Sequence, residues 1–214
     1  MLEKVKKANQ TMGLIRRSFN YLDIQSFRWL FKAMVRPHLE YAQSVWSPFK
    51  KKDIITVENV QRRATKMLPG MKEISYKERL KKLDLPTLAY RRIRGDMIEV
   101  FKMMNGRYDQ DVNMQLPLRD NNTRGHQKKL YKERCRTKIR QSQFRLRVVD
   151  SWNSLPVSVV EAPSVKSFER RLDRFWADQP IRFDHESQLV TTSSSDILKS
   201  NIETEDSDLD IEVI

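Results

Sequence analysis

Apolar residues recur at alternating steps of three and four positions in five successive stretches of the 214-residue chain. This spacing places them on one side of an α-helix, whereas a half-buried strand would alternate at every second residue. The stretches are 4–19, 24–34, 54–68, 93–104 and 165–176. Charged residues make up 32% of the chain and hydrophobic residues 39%, so each helix can cover a core with one face and meet water with the other. The sequence therefore predicts a mostly α-helical fold.

Local signals predict where several helices begin. Side chains able to accept a hydrogen bond from the first helical turn stand just before four predicted helices: Asp23, Ser75, Thr87 and Ser164. Ser75 is followed three residues later by Glu78, the spacing of a capping box. Pro37 is expected to kink or stop the second helix, because proline lacks an N–H and its ring crowds the preceding turn.

The periodicity fades between residues 108 and 124, which predicts a boundary there. We expect a helical unit over residues 1–108 and a small basic unit over 109–178. Leu130, Tyr131 and Cys135 would allow one or two short strands in the second unit. Residues 179–214 are rich in Ser, Thr, Asp and Glu, and are expected to form a disordered acidic tail.

Charge is distributed unevenly along the chain. Its net charge is +13, but residues 180–214 hold two basic and nine acidic residues, so the tail carries −7 and the rest +20. A body this basic indicates a polyanionic partner or an anionic membrane surface. No apolar run reaches the roughly 18 residues that a membrane span needs. No membrane-spanning segment is therefore expected, and the basic charge by itself fits either nucleic acid or a membrane surface.

Residues that could carry chemistry are sparse. Cys135 is the only cysteine, which excludes an internal disulfide and favours the reducing nucleus or cytoplasm. His38, His126 and His185 form no close pair with it, so no metal site is expected. The five glycines are scattered and form no phosphate-binding loop. We expect no cofactor and no catalytic residue.

Lysine and arginine clusters are the candidate nucleic-acid contacts. In the helical part they are Lys50, Lys51, Lys52, Arg62, Arg63, Lys66, Arg91 and Arg92. In the basic part they are Arg124, Lys128, Lys129, Lys132, Arg134, Arg136, Lys138 and Arg140. The second group belongs to the stretch 119–147, which holds eleven Lys or Arg and two acidic residues. Cations spaced in this way can neutralise successive phosphates without reading base sequence.

Aromatic and tail residues offer further alternatives. The four tryptophans, Trp29, Trp46, Trp152 and Trp176, could stack on bases, but their helical spacing with other apolar residues favours core packing. In the tail, Ile211, Val213 and Ile214 follow an acidic cluster and resemble a SUMO-interacting motif, which would add a strand to a partner's sheet. The tail could instead be an unstructured solubilising segment, or could compete with nucleic acid for the basic body.

An ordered set of motifs between Val5 and Trp176 resembles the region after the palm in Jockey-like non-LTR retrotransposon reverse transcriptases. The motifs are Lys7-Ala-Asn9, Val35-Arg-Pro-His-Leu-Glu-Tyr-Ala42, Glu58-Asn-Val-Gln-Arg-Arg-Ala-Thr65, Leu85-Pro86, Arg91-Arg92, Gly95-Asp-Met97, Thr123-Arg-Gly-His126, Arg136-Thr137, Arg147-Val-Val149, Trp152-Asn-Ser-Leu-Pro156 and Ser164-Val-Lys-Ser-Phe168. The resemblance implies a helical thumb that grips RNA or an RNA/DNA template-primer, with the palm and fingers as a partner. DNA is a further candidate ligand.

The polymerase chemistry of that family is not expected here. It needs palm carboxylates for two metal ions, typically in a Phe/Tyr-x-Asp-Asp turn, and the sequence contains no such tetrapeptide. The spaced pairs Asp109–Asp111 and Asp208–Asp210 are interpreted as solvated charges. We therefore expect a non-catalytic fragment of such a polymerase. The alternatives are a domesticated nuclear DNA- or RNA-binding or interaction module, and a non-functional remnant of a decayed element.

Overall fold

The computed structural model describes residues 1–108, 116–119 and 125–191, which are mostly helical, as the apolar spacing predicts. The helices are α1 (Leu2–Ser18), α2 (Ile24–Leu30), α3 (Arg36–Glu40), α4 (Gln43–Trp46), α5 (Lys51–Thr65), α6 (Tyr76–Leu83), α7 (Leu88–Met104), α8 (Lys138–Gln141), α9 (Phe144–Arg147), α10 (Val149–Asn153), α11 (Val157–Val160) and α12 (Val165–Phe175). A π-helical turn, Phe31–Val35, joins α2 to α3, and Pro180–Arg182 forms a 3-10 turn.

The four predicted N-caps are confirmed. The Asp23 carboxylate accepts a hydrogen bond from the backbone N–H of Ser26 at 2.9 Å. Ser75 and Glu78 form the reciprocal capping box at the start of α6. Each remaining cap also accepts from the backbone three residues later: Thr87 at the start of α7, 3.0 Å, and Ser164 at the start of α12, 3.1 Å. These bonds satisfy N–H groups that have no partner within the first helical turn.

Pro37 neither stops nor breaks the second predicted helix. The chain stays helical from α2 into α3, and the π turn Phe31–Val35 lies directly before the proline. A π turn is wider than an α turn, so it makes room where the proline ring would crowd the preceding turn. One helical face therefore runs from Ile24 to Glu40.

The short strands expected around Leu130 are reduced to one antiparallel bridge, between Leu118 and Leu130. The Asn153 side chain pairs with the edge of Leu130 that faces away from Leu118. Its amide oxygen accepts from the Leu130 N–H at 2.8 Å and its amide nitrogen donates to the Leu130 carbonyl at 2.9 Å. The two Leu130 backbone groups that a strand on that edge would use are thereby occupied.

Two hydrophobic cores meet at the start of α7. One is built from residues between Ala8 and Leu88, and the other from residues between Ala89 and Ile181. Helix α7 belongs to the second core, where the Phe101 ring stacks on Phe168 of α12 at a centroid distance of 4.3 Å. The boundary expected near residue 108 is therefore not where the cores divide.

The prediction of disorder from residue 179 is wrong for residues 179–191. Ile181 is buried in the second core, and its carbonyl accepts from the Thr87 hydroxyl at 2.6 Å. The Gln179 side chain closes the segment by bonding both the N–H and the carbonyl of Val190, at 2.9 and 3.0 Å. The buried Ile181 side chain and the two hydrogen bonds of Gln179 thus hold a segment that is otherwise polar in composition. No helix among the described residues is long and apolar enough to cross a membrane.

Candidate nucleic-acid interface

Exposed cations concentrate on a short segment that we call the basic ridge: Arg134, Arg136, Lys138, Arg140 and Arg145. Thr137 caps α8 within this segment, and the Gln141 side chain donates to the Cys135 carbonyl at 3.2 Å, which holds the helix against the preceding chain. The ridge is therefore a formed surface rather than a loose run of charges.

Glu133 is the acidic residue that faces the ridge. Its carboxylate lies 3.5 Å from Arg140 and also pairs with Arg145. Within the part of the chain that the structure describes, Arg134, Arg136 and Lys138 have no carboxylate within salt-bridge distance. Three cations are thus available to an external anion without first breaking an ion pair.

Other predicted residues of the basic stretch have protein partners. Lys132 pairs with Asp150 at 2.6 Å, and Lys128 donates to the Asn105 side chain at 3.2 Å. Lys129 is half-buried, and Arg124 lies outside the described residues. Arg147, at the end of the stretch, points inward to Asp96 with two hydrogen bonds of 2.9 Å.

Five of the predicted helical cations are exposed. Lys50, Lys51 and Lys52 stand at the N-terminus of α5, where positive charge is unfavourable unless an anion is near. Arg63 and Lys66 are exposed at the other end of α5. These two groups lie at opposite ends of a 15-residue helix and do not form one cluster.

Three helical cations differ from expectation. Arg62 is half-buried over the Tyr76 ring, 5.1 Å from its centroid. Arg91 makes a two-pronged contact with the Glu40 carboxylate, 2.8 Å at its Nη2. Arg92, a candidate nucleic-acid contact, is only 6% exposed and therefore does not lie on the surface. Helix α7 is covered by α4, α5, α10 and α12, so little of its circumference meets water.

A buried polar row on α5 was not anticipated. Glu58, Gln61 and Thr65 each follow directly after a buried apolar residue of α5, namely Val57, Val60 and Ala64. The three polar residues are at most 1% exposed. The Glu58 carboxylate accepts from the Tyr76 hydroxyl at 2.6 Å and from the Leu88 N–H at 3.0 Å, where it meets the positive end of α7. Burial raises the pKa of Glu58 despite these bonds.

The other two members of the row also join α5 to its neighbours. Gln61 donates to the Pro86 carbonyl at 3.0 Å, and the Thr65 hydroxyl accepts from Arg79 at 3.0 Å. The motif from Glu58 to Thr65 therefore stabilises the packing of three helices. The helical spacing of its polar residues is the signal that could have revealed this role.

The motif that ends at His126 and the motif that begins at Trp152 lie close together in the fold. The Trp152 indole N–H donates to the Lys128 carbonyl at 2.7 Å, and the His126 ring nitrogen Nε2 lies 3.2 Å from the Trp152 carbonyl. Core packing is confirmed for Trp152 and Trp176, which are buried, while Trp46 is half-buried. It is wrong for Trp29, which is 65% exposed.

Several predictions fall outside the described residues. These are the tail motif Ile211, Val213 and Ile214 and the aspartate pairs at 109–111 and 208–210. Among the described residues, no group of three or more His, Cys, Asp or Glu side chains could hold a metal ion. No protein-family model, curated protein or solved structure matches the chain.

Proposed function

We propose that this chain is a non-catalytic nucleic-acid-binding part of a retrotransposon RNA-directed DNA polymerase. It binds element RNA or an RNA/DNA template-primer, mainly through phosphates. The observation that carries the proposal is the basic ridge, where Arg134, Arg136 and Lys138 are exposed and have no carboxylate partner among the described residues. Phosphates supply the missing counter-charge and release condensed counterions as they bind.

The distribution of charge supports the same function. Some acidic groups of the folded body are engaged with inward cations, as in the Asp96–Arg147 and Glu40–Arg91 pairs. The surplus of positive charge is thus left on the surface, which favours encounter with a polyanion. Arginine side chains on the ridge can also stack on unpaired bases of single-stranded RNA.

The resemblance to the region after the palm adds a partner to this proposal. The first core leaves large apolar side chains uncovered, among them Leu14 at 53%, Tyr21 at 74% and Val45 at 86% exposure. Exposed apolar side chains mark a protein-interaction site where they form a contiguous patch. We propose the palm and fingers of the polymerase as the partner that covers them.

Salt-dependent binding of fluorescent RNA, RNA/DNA hybrid and duplex DNA tests the ridge. Replacing Arg134, Arg136 and Lys138 together by Gln removes up to three phosphate contacts. The slope of log K against log salt should become shallower by roughly two to three, at about 0.7 to 0.9 per contact. A matched control replaces three other exposed lysines, Lys72, Lys81 and Lys82, and should keep the slope.

The outcomes separate the proposal from its rivals. An unchanged slope in the ridge variant, with the helical circular dichroism retained, would exclude the ridge as the interface. Tighter binding of duplex DNA than of the hybrid would favour a DNA-binding module. Template-dependent primer extension with Mg²⁺ or Mn²⁺ by the purified chain would overturn the non-catalytic assignment.

A further inference from the structure

Five cationic side chains from four elements of the fold line one cavity of about 300 Å³, which we call the cationic cleft. They are Lys32 on the π turn, Arg36 on α3, Arg91 and Arg94 on α7, and Arg182 on the 3-10 turn. Asp84, Pro86, Tyr90 and Asp173 complete the lining. The cleft does not include any residue of the basic ridge.

The carboxylates near the cleft are already engaged. Asp173 accepts two hydrogen bonds from Arg94, at 2.6 and 2.8 Å. Glu40 is held by Arg91 in the two-pronged contact described above. Asp84 lies 3.1 Å from Arg28 and 3.8 Å from Arg182. These acids therefore leave little charge to balance Lys32 and Arg36.

Arg36 is the most deeply buried of the five cations and lacks a hydrogen-bonded carboxylate among the described residues. Its side chain is 9% exposed, and both Nε and Nη2 are buried with no hydrogen-bond partner in the described part of the chain. The nearest carboxylate oxygen, on Glu40, is 3.8 Å away, too far for a hydrogen bond. Burial, and then the charge of Arg91, lowers the pKa of Arg36 to about 10. A buried guanidinium without a hydrogen-bonded counter-ion is stabilised by an anion placed beside it.

Lys32 stands four residues before Arg36 on the same helical face. Although the residue is exposed, partial burial lowers the pKa of its ammonium group, and the charges of Arg28 and Arg36 lower it further. Among the described residues it has neither a hydrogen-bond nor a salt-bridge partner. Lys32 and Arg36 thus form an incompletely neutralised pair of cations on the wall of a cavity.

We propose that the cationic cleft binds a phosphate group, which Lys32 and Arg36 recognise together. A phosphate carries more charge than one carboxylate, and its oxygens can accept both from the fork of an arginine and from a lysine ammonium. Arg91, Arg94 and Arg182 stay tied to their carboxylates and add positive potential at the rim. Phosphate binding would place a counter-charge beside Arg36, whose nearest carboxylate oxygen lies 3.8 Å away.

Trp29 suggests where this phosphate comes from. It is 65% exposed and lies three residues before Lys32 on the continuous helix, a spacing that makes neighbours of side chains on one face. A nucleobase stacked on Trp29 would carry its phosphate toward the cleft. Nucleic acid is thus one source, which rests on the proposed function, and a free phosphate ion is the other.

Nuclear magnetic resonance of arginine Nε–H and tryptophan indole groups in the full chain tests the site. Inorganic phosphate is titrated against sodium chloride of equal ionic strength, and a single-stranded oligonucleotide is titrated separately. Phosphate, but not chloride, should shift the Arg36 signal. Lys32→Gln should weaken phosphate binding by about tenfold, the worth of one charge-assisted hydrogen bond. Lys166→Gln, an exposed lysine on α12, should leave it unchanged.

Trp29→Ala distinguishes the two sources. If it weakens oligonucleotide binding and spares phosphate binding, nucleic acid supplies the phosphate. If the oligonucleotide does not shift Arg36 while phosphate does, the cleft holds a free ion. The ridge variant should still bind phosphate in the cleft, so failure of the ridge and failure of the cleft remain separate results.

The proposal is overturned if neither probe shifts Arg36. It is equally overturned if Lys32→Gln and Lys166→Gln bind phosphate alike. Arg36→Gln serves as a second variant provided that its circular dichroism melt matches that of the wild type. It should then abolish the phosphate response.

Discussion

The Arg147 guanidinium donates two hydrogen bonds of 2.9 Å to the Asp96 carboxylate and a third, also of 2.9 Å, to the Ser44 carbonyl. One side chain thereby joins α9 to α7 and to the end of α4. The Asp96 side chain is 8% exposed and that of Arg147 17%. Burial raises the pKa of Asp96, and its bonds to Arg147 oppose that rise. The ion pair lies beside the second core, and the bond to Ser44 connects it to α4, whose Trp46 packs against the first core.

Breaking this pair from one side should destabilise the protein strongly. Asp96→Asn or Arg147→Met leaves a buried group without its partner, which typically costs about 3 to 5 kcal/mol. The double variant should lose less than the sum of the single losses, because no unpaired charge remains. Urea denaturation at neutral pH measures the unfolding free energies.

The exposed Lys132–Asp150 pair is the matched control. Both side chains are 64% exposed, so its loss should cost well under about 1 kcal/mol. Equal losses for the two pairs, or strict additivity at Asp96 and Arg147, would show that burial does not determine the strength of the contact.

Removing residues 192–214 should tighten nucleic-acid binding at low salt. These residues hold seven acidic side chains and one lysine, and they follow a body of strongly positive charge. Their loss removes competition for the same cations. Dissociation constants for RNA should fall at low ionic strength and converge with those of the full chain as salt is raised. Equal constants at low salt would argue against competition.

A longer deletion should behave differently. Removing residues 180–214 also takes away Ile181, which is 5% exposed in the second core, and the acceptor for the Thr87 hydroxyl. Exposing that core should lower the unfolding free energy by roughly 2 to 4 kcal/mol, the usual cost of emptying a buried isoleucine site. The melting temperatures of the two truncations, read by circular dichroism, compare the effects directly.

The sequence predicts the helices and their caps because both depend on neighbours within a few residues. It does not predict how many helices cover each one. Arg92 lies on α7, which four helices surround, whereas Trp29 lies on α2, whose outer face has no neighbour among the described residues. The arginine is therefore buried and the tryptophan exposed, the opposite of what the polarity of each residue predicts.

One candidate site can be predicted from the local sequence and the other cannot. The exposed ridge around Arg136 follows from local composition, since a run of cations with few acids can only be solvated or bound to an anion. The cationic cleft cannot be predicted from local composition, because Lys32, Arg94 and Arg182 come together only when distant elements pack. Long-range packing of this kind leaves no periodic signal in one sequence.

Replacing Glu58 by Gln should alter how stability depends on pH. The folded-state pKa of Glu58 lies above its ordinary value of 4.5, so the fold disfavours the ionised form. Its contribution to stability is therefore fully present below about pH 4.5 and is lost as pH rises through the folded pKa. The unfolding free energy of the wild type minus that of Glu58→Gln should fall over this range. A difference that stays constant, or rises, would contradict the effect of burial.

His126 should make the protein sensitive to acid in the opposite direction. The residue is 2% exposed, its Nδ1 is buried with no hydrogen-bond partner among the described residues, and Nε2–H is placed to donate to the Trp152 carbonyl. A second proton would have to enter at Nδ1, where the described residues offer no acceptor. Burial lowers the pKa of His126 below its ordinary value of 6.5, and the charges of Lys129 and Lys128 act in the same direction.

The unfolded chain therefore binds this proton more readily than the folded one. The stability that depends on neutral His126 is present above pH 6.5 and is lost as pH falls through that value toward the folded pKa. One proton limits the slope of unfolding free energy against pH to about 1.4 kcal/mol per unit. His126→Gln keeps a donor for the Trp152 carbonyl but cannot titrate, so it should remove this slope. A ring pKa at or above 6.5, measured by proton resonance, would show that the buried Nδ1 accepts a proton without penalty.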